Sequence, residues 1–194
     1  MIVDTLVEGP TDEAVARKLI LTCGHKFGTA YGKRGIAYMR QKAAGFNVRA
    51  KYGNPILMLV DFVDTGFECP PEVPFGWLPD RTDKMLLRVV VRELESWLLA
   101  DAKGLARFLG ISDAVIPKNP EALHDPKQML VNLARRSQRR ALRDAIVPPS
   151  HVSSVVGPGY IASIEEFVAR YWNVETAIER APSLDRCITR LGEL

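Results

Sequence analysis

Little in this sequence marks a secreted, membrane-spanning or zinc-held protein. Its three cysteines, Cys23, Cys69 and Cys187, are far apart, odd in number and form no Cys-x-x-Cys pair. That argues for a reducing compartment and against both a disulfide framework and a zinc knuckle. His25, His124 and His151 are equally scattered and give no histidine metal motif. The longest strongly apolar run, Ile56 to Val60, is far too short to cross a bilayer. The N-terminal residues show no basic stretch followed by an apolar segment and a small-residue cleavage site. The expectation is a cytoplasmic protein with no membrane contact. Charge of one sign is also scarce: 26 basic residues against 23 acidic ones leave a net charge of +3. So small an excess does not establish a nucleic-acid partner; the distribution of the charge matters more. There is no internal repeat and no low-complexity tract. The 194 residues suit one domain, or one domain with an appendage, and are enough to bury a core.

What is present begins with Val7-Glu8-Gly9-Pro10-Thr11-Asp12-Glu13. The apolar run before it and the spaced apolar residues after it read as strand, acidic turn and helix. Glu8 falls where the strand ends. Pro10 suits a first helical position, and Asp12 and Glu13 suit the first turn, where the helix dipole favours negative charge. The helix is expected over about Pro10 to Thr22, ended by Cys23-Gly24. Phe27 to Gly35 reads as a glycine-rich basic loop holding Lys33 and Arg34. It could approach phosphate closely or be a solvated turn, and it lacks the spacing of a Walker loop. Ile36 to Lys51 reads as helix, Ile56 to Val60 as buried strand, Cys69 to Pro79 as irregular loop and Leu86 to Val91 as a further strand. The remainder reads as mostly helical, with one helix from Met129 to Ile146 and a turn at Gly157-Pro158-Gly159-Tyr160. Alternating strands and helices followed by helices alone give an α/β fold, a Rossmann-like parallel sheet flanked by helices with a C-terminal helical extension. The expected division is residues 1–110 and 111–194.

Three acidic clusters each follow an apolar strand: Glu8, then Asp61 with Asp64, then Glu93 with Glu95. In a parallel sheet all strand carboxyl ends open on one edge, where ligand sites form. Carboxylates gathered there repel one another and call for a cation. Oxygen donors at this density suit Mg²⁺ or Mn²⁺. Such ions can activate water and bind a phosphodiester. The plainer alternative is that these acids cap helices and solvate loops. Glu93 and Glu95 would point about 160° apart on one helix, so both reach one site only if the backbone there is still extended. Asp101 reads as the cap of a second helix.

The opening Glu-Gly-Pro-Thr-Asp-Glu motif resembles that of the Toprim domain, found in topoisomerases, bacterial primases and the overcoming-lysogenisation-defect nucleases. That family's pattern is a glutamate after the first strand and Asp-x-Asp after a later one. Glu8 and Asp61 match it; Asp64 stands one residue late. Arg92-Glu93-Leu94-Glu95-Ser96-Trp97-Leu98, Asp125-Pro126-Lys127 and Gly157-Pro158-Gly159-Tyr160 resemble a standalone branch similar to the nuclease part of those proteins. The resemblance implies a Toprim fold and a Mg²⁺-dependent nuclease working beside an ABC-type ATPase in phage defence or repair. It implies Glu8 as general acid/base or ligand, with Asp12 beside it. Asp61, Asp64, Glu93 and Glu95 would be metal ligands, and Lys127 would contact the scissile phosphate. A non-catalytic metal- or nucleotide-binding module docking on a larger protein is the other reading, favoured by the displaced Asp64.

Arg135, Arg136, Arg139, Arg140 and Arg143 would span an arc of about 140° on a single helix. Guanidinium forks suit phosphate oxygens. This face, with Lys33 and Arg34, is the expected nucleic-acid surface, for DNA in preference to RNA. The alternative is a solvated helix face. Association as a homodimer is compatible with the sequence.

Overall fold

The computed structural model describes residues 1–194. The elements run β1 (Ile2–Val7), α1 (Pro10–Thr22), β2 (Lys26–Gly32), α2 (Gly35–Tyr52), β3 (Ile56–Asp61), α3 (Glu72–Trp77), β4 (Met85–Val90), α4 (Leu94–Ala100), α5 (Ala102–Leu109), α6 (Pro126–Arg135), α7 (Arg140–Ile146), α8 (Tyr160–Arg170), α9 (Val174–Ile178) and α10 (Pro182–Gly192). The chain divides into two compact units. One comprises Met1–Val91 with Ser183–Leu194, the other Arg92–Pro182. This contact boundary falls after Val91, whereas the sequence boundary was drawn near residue 110.

The first unit is α/β. Its four strands are all parallel, in the order β2-β1-β3-β4. The central strands β1 and β3 are buried almost throughout, because both of their faces are covered. Leu6, Ile56, Met58, Met85 and Leu87 form one core cluster with Met39 and Ala43 of α2. Alternate residues such as Val3, Val7, Leu57 and Leu59 are equally buried and point to the opposite face. The strand order reverses between β1 and β3, which makes a Rossmann-like switch point at their carboxyl ends.

Two sequence expectations are corrected here. Phe27 to Gly35 is not a loop: Lys26–Gly32 is the edge strand β2, paired with β1 alone. Gly28 has a structural task, since a Cβ there would lie 2.2 Å from Asp4 Oδ1, which accepts the Thr29 amide. Gly32 ends the strand with φ of 95°. The stretch Cys69 to Pro79 is not wholly irregular, because it contains the short α3.

The second unit is helical. Trp97 on α4 is fully buried, and its carbonyl accepts the Trp172 indole N–H at 3.2 Å. Asp101 caps α5 as expected, accepting from the Gly104 amide, and Gly110 ends that helix in the left-handed region. The helix expected over Met129 to Ile146 is two helices, α6 and α7. Between them Ser137 is buried and its hydroxyl bonds the Leu109 carbonyl and accepts the Arg139 amide. That side chain satisfies backbone groups in place of a continuous helical ladder.

Candidate functional site

In the α/β unit, Glu8 stands one residue beyond β1 and Asp61 is the last residue of β3. Both are half-buried. Leu6 pairs with Met58, so continuing the register sets Glu8 level with Val60, beside Asp61. The two carboxylates therefore flank the switch point. Asp12 serves the helix start: its Oδ2 accepts the Gly9 amide at 3.1 Å. After Asp61 the chain enters a 3-10 turn over Phe62–Asp64, which leaves Asp64 exposed. Asp64 lines a cavity of about 390 Å³ with Arg40, Gln41 and Trp77. Lys33, at φ of 59°, pairs with Glu13 at 2.9 Å, and this bond holds the Glu13 carboxyl below its usual range. Arg34 lies over the Tyr38 ring, 5.4 Å from its centroid.

In the helical unit, Glu93 and Glu95 converge on Lys127. Glu93 is the N-cap of α4 and is extended, with φ −148° and ψ 169°. Glu95 is in the first turn. The extended backbone that both need in order to face one site is thus present. It is fixed by a reciprocal arrangement in which the Arg92 amide donates to Ser96 Oγ and the Ser96 amide donates to the Glu93 carbonyl. Glu93 Oε1 accepts the Lys127 amide at 2.7 Å, and its Oε2 accepts the Lys127 ammonium at 3.2 Å. This carboxylate sits at the N-terminus of α6, where the helix dipole favours it. Asp125 fixes that terminus by accepting the Gln128 amide, with Pro126 at the first position. Glu95 Oε1 lies 3.7 Å from Lys127 Nζ and accepts the Tyr160 hydroxyl at 2.6 Å. Glu95 Oε2 is buried and has no hydrogen-bond partner. Burial, reinforced by the charge on Glu93, pushes the Glu95 carboxyl above its ordinary range; Lys127 and Tyr160 oppose this without cancelling it.

Tyr160 was not among the expected site residues. Its seat is built by the turn before it. The Gly157 amide donates to the Ile146 carbonyl and the Gly159 amide to the Ala145 carbonyl. A Cβ on Gly157 would meet the Ala145 carbonyl oxygen at 2.4 Å. The signal in the sequence is the Gly157-Pro158-Gly159-Tyr160 segment, a turn and one of the segments that carry the resemblance. The arginines are not one face: Arg135 ends α6, Arg136 and Arg139 lie in the break, and Arg140 begins α7. All four are exposed, and Arg140 pairs with Asp144 at 3.4 Å.

No protein-family model, curated protein or solved structure matches this chain.

Proposed function

We propose that the chain is a Mg²⁺- or Mn²⁺-dependent nuclease of Toprim-like type. Glu93 and Glu95 are a pair of buried carboxylates that could hold a metal ion. The observation that carries the reading is the buried Glu95 Oε2 without a hydrogen-bond partner, beside a second buried glutamate. A carboxylate buried short of donors is costly, and a hard cation is the partner an all-oxygen donor set selects. Covalent continuity supports Asp61 as the third donor. Val90 pairs with Asp61 in the sheet, and Glu93 follows Val90 by three residues, a reach of at most about 11 Å.

The cation would supply charge neutralisation at the phosphodiester and a water more readily deprotonated. Glu8, beside Asp61, would accept a proton from the attacking water. Lys127 steers the phosphate, and Lys33, Arg34, Arg135, Arg136, Arg139 and Arg140 hold the nucleic-acid backbone, DNA in preference to RNA. A partner ATPase in phage defence or repair is the setting the resemblance implies.

One observation favours the non-catalytic reading. The Lys127 ammonium already lies against both glutamates, where a cation would be expected. The test is calorimetric Mg²⁺ and Mn²⁺ binding alongside cleavage of supercoiled and linear DNA and of single-stranded RNA, with EDTA controls. The expected result is metal-dependent cutting, reduced at least about a hundredfold in Glu8→Ala, Asp61→Asn and Glu95→Gln. Metal binding without cutting by folded protein would support the binding module. No metal binding, and none gained in Lys127→Met, would sink the metal site altogether.

A further inference from the structure

The outer edge of β4 is a second candidate for recognition, and none of the acids proposed above lines it. β4 pairs only with β3. The Ile56 amide donates to the Lys84 carbonyl, so the even-numbered backbone groups of β4 face β3. Those of the odd-numbered residues face outward. At one end the Met85 amide donates to the Thr82 carbonyl, and at the other the Val91 amide donates to Ser183 Oγ. Between these capped ends, Leu87 and Val89 present their peptide groups along the free edge.

A cavity of about 440 Å³ runs along this edge. Pro70, Pro71 and Pro74, around the start of α3, line one side, and Arg186 of α10 lines the other. Arg88 and Val91 contribute from the strand, and no acidic residue lines the cavity. Arg88 is partly buried, and neither it nor Arg186 forms an ion pair. Burial, with Arg186 and Arg190 near it, holds the Arg88 guanidinium below the usual arginine range, and Cys187 and the Glu193 carboxylate oppose this without cancelling it. The neighbouring Arg190 is already matched to Glu193 at 2.7 Å. Two guanidiniums in a cavity without an acid call for an anion from outside.

We propose that this groove takes an extended, acidic segment of a partner protein, which adds as a fifth strand against β4 with its carboxylates on Arg88 and Arg186. Peptide groups of Leu87 and Val89 supply strand pairing, and the arginines supply the choice of side chain. The prolines lack amide donors and offer an apolar wall for the alternate side chains of the guest. A second copy of this chain paired through the same edge is disfavoured, since it would set arginine against arginine.

The test uses a short fluorescent peptide alternating glutamate with valine, measured by anisotropy on the full chain. The same peptide with lysine for glutamate, and one N-methylated on alternate amides, are the controls. Binding of the glutamate peptide alone is expected, weakened about tenfold or more by Arg88→Ala and by Arg186→Ala. Arg186 is exposed, so Arg186→Ala is expected to melt as the parent does; Arg88 is partly buried, and Arg88→Met, which keeps an apolar stem in its place and removes the charge, separates lost binding from lost packing. Equal binding of the lysine peptide would overturn the charge recognition. Equal binding of the N-methylated peptide would overturn strand addition. Tighter binding of a single-stranded oligonucleotide, lost in the same two variants, would reassign the groove to phosphate. A dimer of the free protein that the two variants dissociate would reassign it to self-association.

Discussion

Two buried carboxylates at opposite ends of α4 have opposite surroundings. Asp101 is 2% exposed and fully engaged. Its Oδ1 accepts from the Gly104 amide and the Thr176 hydroxyl, and its Oδ2 accepts the Asn173 amide at 2.7 Å. Glu95 is 5% exposed, yet only Oε1 has a hydrogen-bond donor, the Tyr160 hydroxyl. Both are acids at the end of an apolar segment, so composition does not separate them. The donors do. Backbone amides that converge on a carboxylate make it a structural brace, because their positions are set by the fold. Glu95, with a lysine and a tyrosine beside it, lacks that bracing.

The comparison breaks most sharply at Asp101. Asp101→Ala leaves a buried backbone amide, a partly buried one and a threonine hydroxyl without their acceptor. The expected loss is about 3–5 kcal/mol of unfolding free energy, read by denaturant titration. If the loss is under about 1 kcal/mol, Asp101 is not the brace described. A smaller effect is expected at Gly157, where an added methyl meets the Ala145 carbonyl oxygen. Gly157→Ala should cost about 1–3 kcal/mol and, by shifting Tyr160, weaken metal binding as well. Unchanged metal affinity in that variant would mean that Tyr160 does not position Glu95.

The sequence made some of this legible and hid the rest for physical reasons. β1, β3 and β4 announced themselves because each carries a run of buried apolar residues. β2 did not, since an edge strand tolerates Gly28, Thr29 and Gly32, and its glycines answer to Asp4 and Val7 rather than to phosphate. Helix geometry lets Glu93 and Glu95 face one site only where the chain is extended at the helix start, and at Glu93 it is. The arginine arc failed because periodicity takes no account of Ser137, whose hydroxyl competes for backbone groups in mid-pattern. The consequence of the displaced Asp64 was equally local: a 3-10 turn carries it toward Arg40 and Trp77. Tyr160 stands in a motif that the sequence marks, but its contact is hidden because it meets Glu95 across 65 residues of chain.

The smallest effect is the most specific to Glu95, and it concerns pH. Its carboxyl is raised above the ordinary value of 4.5, so the folded protein binds this proton more tightly than the unfolded chain. The contribution to stability is therefore fully present below about 4.5 and is lost as pH rises through the higher folded value. Glu95→Gln cannot ionise, so it should lack this decline. The expected outcome is that urea denaturation of the parent, followed across this range without metal, shows stability falling relative to Glu95→Gln as pH rises. A divalent cation held by this carboxylate reverses the preference, because it favours the ionised form. Adding Mg²⁺ or Mn²⁺ should then close the gap at the alkaline end, with protons released on binding in unbuffered titration. A parent and variant that stay parallel at every pH would show that Glu95 is as well satisfied as Asp101, and the contrast between them would disappear.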